Sequence, residues 1–163
     1  MHDLIDEIVA CHNSGIYAPA LITALGIPET LGALAFPDLA PADAYDRWYD
    51  ERVGVRHGPG AGGALLRAIR ESLLHADPAR FAAFGFARVA FYEPVGTDAL
   101  NDGVAGIGGE PVLQLRIDTF INDIINAART HLDELGRDHP GIAGLLSPRL
   151  EPVAIPAGNA RLL

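Results

Sequence analysis

The sequence predicts a mainly α-helical bundle with a small β-hairpin inserted before the last long helix. Two observations lead there. Apolar residues recur at three- and four-residue spacing along most of the chain, and two short runs between residues 86 and 117 replace that period with strand-like patterning. The 163 residues fit one domain, long enough to bury roughly two-thirds of its unfolded surface. Residues 1–138 read as that single helical domain. Residues 139–163 read as a C-terminal tail of weak local preference, packed on the domain or on a neighbouring subunit.

Leu4, Ile5, Ile8 and Val9 place one apolar face on a helix over residues 2–13, stopped by Asn13-Ser14-Gly15. Ile16, Ala20, Leu21, Ala24 and Leu25 continue the period to Gly26. Pro28 suits the first turn of a short helix carrying Leu31 and Leu34, which Pro37 ends. Pro41 starts another, in which Tyr45, Trp48, Tyr49, Arg52 and Val53 form an aromatic stripe of the kind that builds a core. A Gly-rich loop, 54–63, leads into a helix over 64–76 that Asp77-Pro78 stops. Residues 86–93 and 111–117 read as two strands of a hairpin joined by a long connection whose Gly103–Gly109 part is flexible. Asp118 is placed to cap the last helix, with Phe120, Ile121, Ile124, Ile125, Ala128, Leu132 and Leu135 on one face. Asn122, Asp123 and Asn126 fall on the other.

Charge narrows the functions. The chain carries 12 Arg, no Lys and 21 acids, for a net charge of −9. That is a poor footprint for passive nucleic-acid binding. The charge is unevenly spread: residues 47–88 hold seven Arg against four acids, whereas residues 1–46 hold seven acids and no Arg. A single cysteine, Cys11, allows no intrachain disulfide and no cysteine zinc cluster, and points to a reducing compartment. No apolar run approaches the roughly 20 residues of a membrane span, and the acidic N-terminus is unlike a secretory signal. A cytoplasmic protein without membrane contact is the expectation.

Several motifs carry no chemistry. Gly58-Pro-Gly60-Ala-Gly62-Gly63 spells a dinucleotide fingerprint before a helix, but a helix rather than the strand of a βαβ unit feeds it, and it lacks the Lys-Ser/Thr of a P-loop. His2, His12, His57, His75, His131 and His139 show no metal-ligand spacing, and Ser14, Ser72 and Ser147 sit in no nucleophile elbow, so neither metal nor cofactor is expected. The informative segment is Arg70-Glu-Ser-Leu-Leu-His75. At 100° per residue Arg70 lies about 40° from Leu66, inside the apolar arc formed with Leu65, Ile69, Leu73 and Leu74. A guanidinium there must snorkel out or find a carboxylate on another helix. His75, about 140° further round, suits the helix C-terminus as a cation.

Arg-x4-His on a helix of a small helical protein resembles the signature of the HEPN superfamily. Four blocks extend the resemblance to small bacterial HEPN-like proteins: Gly15–Thr30, Arg47–Gly54, Leu65–His75 and Val112–Asp118, together spanning about Leu4 to Leu135. The resemblance implies a helical bundle, a homodimer with its motif helices facing, and, in part of the superfamily, metal-independent RNA cleavage by the ribose 2′-hydroxyl. Arg70 and His75 would then be catalytic, the first stabilising charge on the phosphorane and the second carrying protons. One departure is Glu71, where active members commonly carry Asn, Asp or His; it could instead bridge to Arg67 at i, i+4. Two expectations result. One is a HEPN-type endoribonuclease, the toxin paired with a cognate antitoxin. The alternative is a non-catalytic helical module that binds a protein partner or small ligand, with Arg70 in a structural ion pair.

Overall fold

A computed structural model describes residues 1–54, 61–75, 78–93 and 103–139. The expectations for the tail beyond residue 139 and for the middle of the Gly-rich loop lie outside the described residues. Among the described residues six α-helices form: α1 (His2–Asn13), α2 (Tyr17–Ala24), α3 (Ile27–Ala35), α4 (Pro41–Arg52), α5 (Gly63–His75) and α6 (Ile117–Asp138). A 3₁₀ segment, Pro78–Phe84, follows α5, and three strands precede α6: β1 (Arg88–Tyr92), β2 (Gly103–Ile107) and β3 (Glu110–Arg116). The fold is mainly α with a small sheet, as the periodicity predicts.

Helix α6 is the central rod. Ile117, Phe120, Ile121, Ile124, Ile125, Ala127, Ala128 and Leu132 are buried along it, while Asn122 and Asn126 face water. Against it pack Ile5 and Ile8 of α1, Leu21 and Ala24 of α2, Ile27 and Leu31 of α3, and the aromatic stripe of α4 in one continuous core. Trp48, Tyr45 and Tyr49 are almost wholly enclosed, so the stripe is core. The buried Tyr45 hydroxyl donates to the Leu25 carbonyl at 2.9 Å, pinning α4 to the turn between α2 and α3. Burial pushes the phenol well above its ordinary pKa and outweighs the opposing pull of Arg70.

Residues Tyr17–Ala35 do reach the length and apolarity of a membrane span, contrary to the expectation from the sequence. The structure breaks this stretch at Leu25-Gly26 into α2 and α3. Ala20, Leu21, Ala24, Leu25, Ile27 and Leu31 then sit in the core. Apolar composition serves packing here.

The expected hairpin between the two strand-like runs is corrected. β1 pairs β3 in parallel, Val89 opposite Leu113, and the antiparallel partner of β3 is β2. The glycine-rich stretch read as a flexible connection is itself a strand, giving a sheet of order β1-β3-β2. Gly108 and Gly109, with φ of 64° and 84°, make the two-residue turn between β2 and β3, a primed turn that side-chain-bearing residues adopt poorly. Val89 and Phe91 lean on the core, and Phe91 meets Phe120 edge-on at 5.5 Å.

Asp118 is not the cap of α6. The helix begins at Ile117, and Asp118 in its first turn accepts two hydrogen bonds from Arg116, at 3.2 and 2.6 Å. Partial burial works against its charge, but the Arg116 hydrogen bond and the Thr119 backbone prevail and hold the carboxyl below its ordinary range.

Candidate functional site

Helix α5 positions the predicted site, and α4 positions α5. The two cross so closely that a Cβ on Gly63 would collide with the Asp46 backbone. From α4, Asp50 Oδ1 accepts the Gly63 N–H at 2.7 Å, and Asp46 takes a two-pronged contact from Arg67 at 2.9 Å on each arm. Arg67 therefore pairs with Asp46, and the expected Arg67–Glu71 bridge is replaced. The N-terminus of α5, where a nucleotide cradle would present its N–H groups, is already filled by the Asp50 carboxylate.

Leu65, Leu66 and Ile69 face the core. The last turn of α5 does not: Leu73 is 45% exposed and Leu74 50%, although the helical wheel places both beside the apolar arc. There α5 has run beyond the core and packs on the 3₁₀ segment, whose Phe84 is also exposed.

Arg70 has found the carboxylate its position demands. Its Nη2 donates to Glu29 Oε2 of α3 at 2.5 Å, and its Nη1 lies 3.5 Å from Glu71 Oε1. The guanidinium side chain is 22% exposed, against 63% for His75. Glu71 is the hub. Its Oε2 lies 3.5 Å from His75 Nε2 and 3.9 Å from Arg80 Nη1, so one carboxylate stands between the two predicted catalytic residues. Arg70 and His75 share a neighbour. Neither lines either of the two described clefts.

The charge balance decides what this cluster can do. Two Arg meet two Glu, so with His75 neutral the cluster offers a phosphate no net attraction. Its shortest contact is the charge-assisted bond from Arg70 to Glu29, which a phosphate would have to displace. His75 remains open to solvent.

Sequence reasoning missed Glu29, Arg80 and the central part played by Glu71. The last was within reach, because Glu71 and His75 stand at i, i+4 on one helix. It also missed His131, which is buried in α6 and accepts the Trp48 indole N–H at 2.7 Å through Nδ1. Among the described residues, no three His, Cys, Asp or Glu gather as metal ligands would. Comparison of this chain with known protein families, curated proteins and solved structures gives no match.

Proposed function

We propose that this chain is a non-catalytic, HEPN-like helical module of the cytoplasm that acts by binding a protein partner through the end of α5. One observation carries the reading: Arg70 is held between Glu29 and Glu71 of its own chain. A guanidinium so neutralised is a structural clamp of α5 to α3. The contact surface is supplied by Leu73, Leu74 and Phe84, large apolar side chains left exposed on two packed elements. The resemblance to HEPN proteins makes a second copy of the chain the first partner to test, and a cognate antitoxin-like protein the next.

The endoribonuclease reading stays as the second, on a different observation. Arg70, Arg80 and the exposed His75 all border Glu71, so a rearranged Glu71 would leave two cations and a proton carrier on one face. The two readings part in a simple assay. The purified chain is incubated with mixed RNA in EDTA beside Arg70→Ala/His75→Ala. No cleavage by either is expected. Cleavage by the unaltered chain alone, leaving 2′,3′-cyclic phosphate ends, would replace the binding reading with the nuclease. In light scattering, Leu73→Glu/Leu74→Glu is expected to abolish self-association, while the Arg70/His75 double variant retains it.

A further inference from the structure

We propose that His131 is a proton-operated latch between α4 and α6: neutral, its Nδ1 holds the Trp48 indole, and protonated, it lets go. This stands independently of the binding reading. An indole nitrogen can only donate, so at 2.7 Å the Nδ1 facing it must carry no proton. Protonation would turn that acceptor into a second donor and set two N–H groups against each other. It would also create a cation on a residue only 4% exposed, where desolvation penalises charge.

The charged surroundings make the latch acid-sensitive. From α4, Arg52 repels an imidazolium. From α6, Glu134 attracts one, but it is committed to Arg52 at 2.6 Å. On the other elements packed against α6, Asp6 of α1 pairs with Arg129 of α6, Glu29 of α3 with Arg70, and Arg116 of β3 with Asp118 of α6, while Asp3 and Glu7 of α1 and Glu110 of β3 are exposed to solvent. Helix α2 carries no charged residue. Burial first, and Arg52 second, hold the imidazole below its ordinary pKa against the smaller pull of Glu134. The neutral form is thus the native one. Its contribution is complete above the ordinary histidine value of about 6.5 and is lost as pH falls from there through the lower native value.

Release would be felt beyond the seam. Helix α4 also grips α5 through Asp46 and Asp50 and the α2–α3 turn through Tyr45. Loosening its hold on α6 therefore frees the element that positions α5.

Trp48 is the sole tryptophan, so intrinsic fluorescence and the indole N–H resonance both report on this one bond. The full chain is titrated from about pH 8 to about pH 5.5, above the range where most carboxylates protonate. The expected result is a one-proton transition in both signals, with a midpoint below about 6.5, and a folding equilibrium that weakens by up to about tenfold per pH unit in that window. In His131→Gln, whose amide oxygen still accepts from Trp48, the transition should vanish. An indole resonance that does not move in the unaltered chain would overturn the proposal, as would a transition that survives in His131→Gln. Should that variant not fold, the ring resonances of His131 in the unaltered chain decide. A midpoint shared with the indole is expected, and a different one overturns the latch.

Discussion

Helix α4 is fastened to α6 by a neutral hydrogen bond inside the core, Trp48 to His131, with the ion pair of Arg52 and Glu134 at its edge, and to α5 by charged contacts at the rim alone, Asp46 with Arg67 and Asp50 with the Gly63 N–H. The centre of the first seam is dry: Trp48 is fully buried and His131 nearly so. The second is half wet, with the Arg67 side chain 37% exposed. In the dry seam a polar pair must be complete and uncharged, because nothing else can solvate it. In the wet seam water screens the charges, so geometry rather than energy is what they supply. The hydrogen bond to Asp46 raises the pKa of Arg67 in spite of partial burial, so the guanidinium stays charged. The Trp48–His131 contact and the Asp46–Arg67 contact should therefore fail under different insults, acid for one and salt for the other.

Three substitutions would sharpen that contrast. Trp48→Ala should do the most damage, about 3–5 kcal/mol in urea unfolding, because it empties a core site and orphans the His131 nitrogen. A loss under about 1 kcal/mol would show that the α4–α6 seam does not hold the core together. Gly63→Ala comes next, at about 1–3 kcal/mol, since the added methyl must push the α4 backbone away at the crossing. Thermal unfolding measures it, and a neutral result would mean that the close approach of α4 and α5 is relaxed in solution. Arg67→Ala should cost least, below about 1 kcal/mol, and the loss should shrink as salt is added. If the Arg67→Ala loss is instead large and independent of salt, the wet seam behaves as a dry one.

The same distinction separates Arg67 from Arg70, three positions apart on α5. Both sit on a helix that needed its cations paired, and both found acids on earlier helices: Asp46, 21 positions back, and Glu29, 41 positions back. Helical spacing shows that Arg70 lies within an apolar arc and so demands a partner. It does not show which acid answers, since the reach of a guanidinium admits any carboxylate that the packing of α3 and α4 delivers. Glu71 followed the opposite course: its neighbour His75 was readable at i, i+4, but its contact with Arg80 depends on how the chain turns after α5.

The sheet teaches a similar lesson. The alternation of Leu113, Leu115 and Ile117 with Gln114 and Arg116 marks a strand with one buried side, and β3 is that strand. Parallel or antiparallel pairing leaves the same alternation, so the parallel partnership with β1 could not be read from it. Glycine has little strand preference, which hid β2 inside the cluster 103–109.

From the sequence alone came the order of the helices among the described residues, the inward faces of α1, α4 and α6, the core role of the aromatic stripe and the need of Arg70 for a counter-charge. These follow from the 3.6-residue period and the cost of burying charge, both local to a few turns. Only the tertiary structure decided that Tyr17–Ala35 is two core helices, that Leu73 and Leu74 remain in solvent, and that Glu29 and Glu71 hold Arg70. It alone joined His131 to Trp48, 83 positions apart. Periodicity says which side of a helix avoids water, whereas the partner on that side is set by how helices distant in sequence cross.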